Sequence, residues 1–160
     1  MSKDNTPDIT YIENSLMSVK DYLKFGQLIS LESTTYPGTT KEILKPFLED
    51  KDFTVGEDFF LIYSPEREDP GNSIFKSNQI PKIIGGDTNN CIKIGKKVYE
   101  LINPNVLSMT STKAAEMTKL LENVFRAVNI GLINELKEFT DAINIDIHEV
   151  INAAATKPFG

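Results

Sequence analysis

Four short apolar runs most constrain the fold: LISLES (28–33), FFLIY (59–63), IPKIIGG (80–86) and NVLSMTS (105–111). Each has the length of a strand and stops on polar or turn-forming residues. Helix-patterned segments stand among them. Residues 11–25 put Ile12, Leu16, Val19 and Leu23 on one face, with Gly26 expected as the C-cap. Thr39 and Glu42 have capping-box spacing and open TKEILKPFLED, where Pro46 should kink the helix or end its first part. Residues 88–102 read as another helix, whereas 67–79 are polar and irregular around Pro70-Gly71-Asn72. Strands alternating with helices predict an α/β fold with parallel neighbouring strands covered on both faces.

The pattern changes after residue 111. Residues 113–138 form the longest periodic segment, with Met117, Leu120, Leu121, Val124, Phe125, Val128, Leu132, Ile133 and Leu136 on more than one stripe. Apolar coverage that wide predicts a helix buried against several neighbours. A second helix is expected from Asp146, with Glu149 three residues on and Ile147, Val150, Ile151 and Ala154 as its apolar positions. The expected division is therefore 1–111, an α/β layer, and 112–160, the opening of a helical domain.

Composition narrows the function. The chain has 160 residues, a net charge of -6 and one cysteine, Cys91. One cysteine excludes an internal disulfide and any multi-cysteine metal site. An acidic chain is poorly suited to a phosphate backbone, so no nucleic-acid partner is expected. There is no run of 18 apolar residues and no signal-peptide pattern at MSKDNTPD, so no membrane partner is expected and a reducing, cytoplasmic setting is inferred. No GxGxxG and no GxxxxGK[ST] occurs, and Gly85-Gly86 is too weak a signal to count.

In a parallel sheet, ligands sit beyond the carboxyl ends of the strands. Ser33-Thr34-Thr35 and Glu66-Arg67 occupy two such ends. Thr34 and Thr35 can bind through hydroxyl and backbone groups, or merely satisfy a turn. Glu66 can be a base, a ligand contact or an ion-pair partner of Arg67. Glu116, Lys119 and Asn123 share one side of the long helix. They can line a cleft, with Lys119 as cation and Asn123 as amide, or form a solvated stripe with one Glu–Lys pair. His148 alone supports neither a triad nor a zinc site, and Cys91 has no neighbour that would make it a nucleophile.

Four segments together carry a further reading: ESTTYPGTT (32–40), SPEREDPGN (64–72), KAAEMTKLLENVFRAVNIGLINEL (113–136) and AAATKPFG (153–160). They resemble the UDP-glucose/GDP-mannose dehydrogenase family. SPEREDPGN and the ATKPFG ending are most like its bacterial UDP-N-acetyl-glucosamine 6-dehydrogenase branch. The resemblance implies an internal piece: the later part of an NAD-binding Rossmann-like parallel-sheet domain (1–111), then the start of a central α-helical dimerisation and substrate domain (112–160). It implies oxidation of a sugar's primary alcohol to a carboxylate with two NAD, and a homodimer or higher homo-oligomer acting on a UDP-sugar. The piece alone is expected to be inactive, because the glycine-rich NAD loop and the catalytic cysteine of relatives have no match here. By resemblance, Thr34 helps hold the catalytic water near the cofactor, with Thr35 beside it. Glu66 lies near the sugar and that water, with Arg67 adjacent. Lys119 stabilises an oxyanion, and Asn123 is its amide partner. The UDP-glucose enzymes carry a second glutamate four residues after the first; here that position is Pro70. The competing reading is a non-catalytic α/β nucleotide-binding or assembly module.

Overall fold

The computed structural model describes residues 6–49, 53–67 and 79–158. Four strands, β1 (Leu28–Leu31), β2 (Phe60–Tyr63), β3 (Lys82–Gly86) and β4 (Val106–Met109), form one sheet in that spatial order. Each lies inside one of the four apolar runs. The helices are α1 (Thr10–Lys20), α2 (Lys45–Glu49), α3 (Asn89–Tyr99), α4 (Thr112–Ala142) and α5 (Ile147–Ala154). The α/β class is as expected, but one pairing is not. β1 and β2 run parallel, as do β3 and β4, whereas β2 and β3 are antiparallel, with Ile62 opposite Gly86. A parallel return needs a crossover, usually a helix. α2 supplies one between β1 and β2, and α3 another between β3 and β4. Between β2 and β3 the sequence is polar around Pro70-Gly71-Asn72, and β3 returns antiparallel to β2. The carboxyl ends of β1 and β2 therefore share an edge with the amino ends of β3 and β4.

Gly85 and Gly86 explain how helices sit on both faces of this sheet. Consecutive strand residues point to opposite faces. A Cβ on Gly85 would lie 2.3 Å from the Ser111 carbonyl oxygen, at the start of α4. A Cβ on Gly86 would lie 2.8 Å from the Ile92 nitrogen, in α3. Leu61, Ile62, Tyr63 and Ile84 are fully buried in the layer between, joined by Leu44 and Leu48.

Two local expectations change. α1 ends at Lys20 with Asp21 as its cap, not at Gly26. Gly26 instead has φ +79° and donates its N–H to the Asp58 carbonyl at 2.7 Å, setting the chain's approach to β1. The Thr39–Glu42 capping box does not form, for Thr39 is already helical and its hydroxyl donates to the Tyr36 carbonyl. A π-helical turn, Thr40–Leu44, leads into α2, with the Lys45 N–H reaching back to the Thr40 carbonyl. Pro46, which has no N–H to give, follows this widened turn, a familiar cause of local irregularity in a helix.

The chain divides into two units, Met1–Leu120 and Leu121–Gly160. The first holds the sheet, α1–α3 and the start of α4. In the second, α4 ends and Asn144 adopts the left-handed conformation (φ 58°) that closes many helices. Asp146 then caps α5, accepting from the His148 N–H at 2.9 Å, as its spacing predicted. The expected all-round burial of the long helix is not met. Leu121 is 60% and Phe125 69% exposed, with Val124, Val128 and Leu132 also in solvent. Among the described residues, no helix is long and apolar enough to cross a membrane.

Candidate functional site at the carboxyl ends of β1 and β2

The parallel pairing of β1 and β2 brings their carboxyl ends side by side. Ser64 donates its N–H to the Leu31 carbonyl and Glu66 its own to the Glu32 carbonyl, so the two chains stay paired past the last strand residues. The Tyr63 hydroxyl donates to the Ser33 carbonyl at 3.3 Å. Thr34 follows, exposed to solvent, then Thr35, whose hydroxyl pairs with that of Thr39. A groove of about 300 Å³ between α1 and β1 reaches this edge at Glu32 and Ser33.

Glu66 is held from several sides. Its Oε1 accepts from the Arg67 backbone N–H at 2.7 Å, and its Oε2 lies 3.3 Å from Lys82 Nζ. Its carbonyl oxygen accepts from Lys119 Nζ at 2.7 Å. The structure thus joins two predicted residues, Glu66 and Lys119, that are 53 positions apart. Arg67 turns its guanidinium to the Pro81 carbonyl at 2.8 Å. Asn123 is half-buried and belongs to the second unit. Pro70, the departure from the family pattern, lies outside the described residues.

Sequence reasoning missed Lys82, Glu32 and Tyr99. The antiparallel return of β3 sets Lys82 beside Glu66. Lys82 also pairs with Glu32 at 3.2 Å and lies over the Tyr99 ring. Tyr99, at the end of α3, donates its hydroxyl to Glu32 and shares a hydrogen bond with Ser30. Burial first, then the Glu32 carboxylate, push the Tyr99 hydroxyl up to about 12. A hydroxyl in a place hostile to its anion stays protonated and donating.

Neither alternative open for Glu116, a cleft-lining group or half of a solvated pair, describes it. It does not pair with Lys119 on a solvated stripe but is fully buried. Its Oε1 accepts from the Thr40 N–H at 2.8 Å and the Thr40 hydroxyl at 2.6 Å, and its Oε2 from the Gly38 N–H. Three donors at a helix start compensate the desolvation of a carboxylate. The capping group comes from α4, far along the chain, which is why no local spacing revealed it.

Cys91 and His148 stand apart. Cys91 is fully buried in the first turn of α3, and its sulfur accepts from the Leu61 N–H and the Thr88 hydroxyl. His148 is exposed on the first turn of α5. Among the described residues, no group of three or more His, Cys, Asp or Glu side chains could hold a metal ion.

Comparison with known proteins adds the family. Residues 1–103 match the NAD binding domain of the UDP-glucose/GDP-mannose dehydrogenase family, and residues 113–160 match its central domain. A UDP-N-acetyl-D-glucosamine 6-dehydrogenase of Pseudomonas aeruginosa is 38% identical over 153 residues, 94% of this chain and 36% of that protein. A UDP-N-acetyl-D-mannosamine dehydrogenase of Methanocaldococcus jannaschii is 36% identical over 94% of this chain and 34% of its own length. The solved UDP-N-acetyl-mannosamine dehydrogenase of Staphylococcus aureus superposes with a TM-score of 0.86 at 39% identity, over 96% of this chain and 37% of that one. The chain thus spans little more than a third of each of these relatives. With both domain patterns matched in order along a continuous sequence, the chain belongs to the UDP-glucose/GDP-mannose dehydrogenase family.

Proposed function

We propose that this chain is part of a longer NAD-dependent nucleotide-sugar 6-dehydrogenase that oxidises the C6 alcohol of a UDP-N-acetylhexosamine to the carboxylate. The observation that carries this reading is the 2.7 Å bond from Lys119 Nζ to the Glu66 carbonyl, which draws two motif segments together at a strand end where α/β sites open. The names of the relatives above favour an N-acetylated sugar over a plain hexose.

NAD fits part of what is present. Ser33 and Thr34 offer exposed hydroxyls and backbone groups at the carboxyl end of β1, suited to the hydroxyl and carboxamide groups of a dinucleotide. No glycine-rich loop in the sequence supplies the donors a pyrophosphate needs. Bound NAD would accept the hydride in each of two oxidations. Thr34 and Thr35 contact the cofactor, and Thr34 helps hold the attacking water. Lys119 is the cation that stabilises the developing oxyanion, with Asn123, one turn along α4, as its amide partner. Glu66 orients the water that releases the acid, and Arg67 stands beside the substrate. The enzyme works in the cytoplasm as a homodimer or higher homo-oligomer. The exposed apolar side chains of α4, among them Leu121, Phe125 and Val128, support the assembly, because such residues are costly to leave in water.

Glu66→Gln in the full-length enzyme tests the assignment. By the family resemblance, the aldehyde is captured by a cysteine of the full-length enzyme and oxidised to a thioester that water hydrolyses. The carboxamide keeps the shape and loses the charge, so that hydrolysis should slow and the covalent enzyme–sugar thioester should build up. Intact-protein mass spectrometry after mixing with UDP-N-acetyl-glucosamine and NAD reads that adduct. Normal turnover with no trapped adduct would remove Glu66 from the hydrolytic role.

A further inference from the structure

We propose that Glu116 is a positioning residue that sets the Thr34–Thr35 segment against the helix carrying Lys119. The inference rests on the functional reading above. Glu116 is fully enclosed, and all three of its donors belong to Gly38 and Thr40, in the turn just after Thr35. That turn is internally tied. The Thr39 hydroxyl bonds both the Thr35 hydroxyl and the Tyr36 carbonyl, so a constraint at 38–40 reaches Thr35. A second tie, Glu42 to Lys113 at 3.0 Å, joins the following turn to α4. Lys119 lies three residues beyond Glu116 and holds the Glu66 carbonyl. The first turns of α4 therefore grip the loops after β1 and β2 at once, one through a buried carboxylate and the other through an ammonium. Glu116 touches neither cofactor nor substrate. Its effect passes through the turn, and it falls on the cofactor side because its donors follow the predicted cofactor residues.

The test uses the full-length enzyme. Glu116→Gln keeps the volume but replaces one acceptor oxygen with a donor facing N–H groups. Thr40→Val keeps the shape and removes only the hydroxyl, which guards against a variant that fails to fold. In both, amide exchange of the segment spanning residues 33–44 should speed up, and calorimetric affinity for NAD should fall by roughly tenfold, the scale of one lost charge-assisted bond. Affinity for the UDP-sugar should stay within about twofold, and Thr40→Ser should restore NAD binding. Adding Glu116→Gln to Thr34→Ala should weaken NAD binding less than the separate effects sum to, since one acts through the other. Unchanged exchange and NAD affinity in both variants would overturn the proposal. Equal loss of both affinities with faster exchange throughout the protein would also overturn it, leaving Glu116 a purely structural group. A wild-type enzyme that binds NAD but does not oxidise a UDP-sugar would sink the functional reading instead.

Discussion

Tyr99 shows how one residue can be both buried and informative. Its hydroxyl is pushed from 10.0 to about 12, chiefly by burial and then by the Glu32 carboxylate. Between those values the unfolded chain's tyrosine loses its proton while the folded one keeps it. The folded state then binds more protons, so stability falls as pH rises. The contribution, roughly 2–3 kcal/mol for a shift of about two units, is whole below pH 10 and is lost as pH passes through about 12. Tyr99→Phe should abolish that part of the alkaline loss. A difference titration of tyrosinate absorbance, wild type minus variant, should show one group ionising near the raised value. A difference curve centred near 10 would mean that Tyr99 is neither dry nor bonded to Glu32. The same residue buttresses Lys82, which lies over its ring and joins Glu32 to Glu66, so a change here also loosens the setting of the predicted site.

Between elements, close approach decides the architecture. Gly85 lets the start of α4 lie on β3 with only 2.3 Å between the Ser111 carbonyl oxygen and the place a Cβ would take. Because the obstructing atom is backbone, Gly85→Ala must shift α4 or the strand, and should destabilise by about 1–3 kcal/mol in chemical denaturation. An unchanged midpoint would show that the helix start gives way freely. This contact also marks what the sequence could and could not convey. Strand runs and the Asp146 cap were readable because their signals are local: apolar residues in succession, or a carboxylate two residues before the N–H it receives. Gly85-Gly86 looked uninformative because its meaning lies in two helices packed on opposite faces. Glu116 looked like half of an i, i+3 pair because its donors lie 76 and 78 positions away. The direction of β3, expected parallel and found antiparallel, escaped for a related reason. The stretch 67–79 was legible only as polar, irregular sequence, and the strand that β3 pairs with was not legible at all. Glu66 and Lys119 stood out from a strand end and a helix face, their roles came by resemblance, and only the fold shows that their segments meet.

At the scale of the whole molecule, the proposed chemistry asks for groups that this sequence does not show. A dinucleotide needs backbone donors at its pyrophosphate, and no glycine-rich loop in the sequence provides them. A covalent route needs an accessible thiolate. Cys91 is the only cysteine, it is fully buried, and its sulfur is occupied by the Leu61 N–H and the Thr88 hydroxyl. Purified alone, the 160-residue chain should therefore produce no NADH from UDP-N-acetyl-glucosamine and NAD, whatever the integrity of its fold. Circular dichroism on the same sample separates an inactive folded chain from an unfolded one. A companion variant locates the nucleophile. Cys91→Ala in the full-length enzyme removes one small buried side chain at the first turn of α3, so it should lower stability modestly and leave kcat within about twofold. Steady NADH production by the chain alone would show that the missing loop and thiol are dispensable. A folded Cys91→Ala enzyme whose turnover has collapsed would show that the buried thiol becomes accessible and takes part in the reaction.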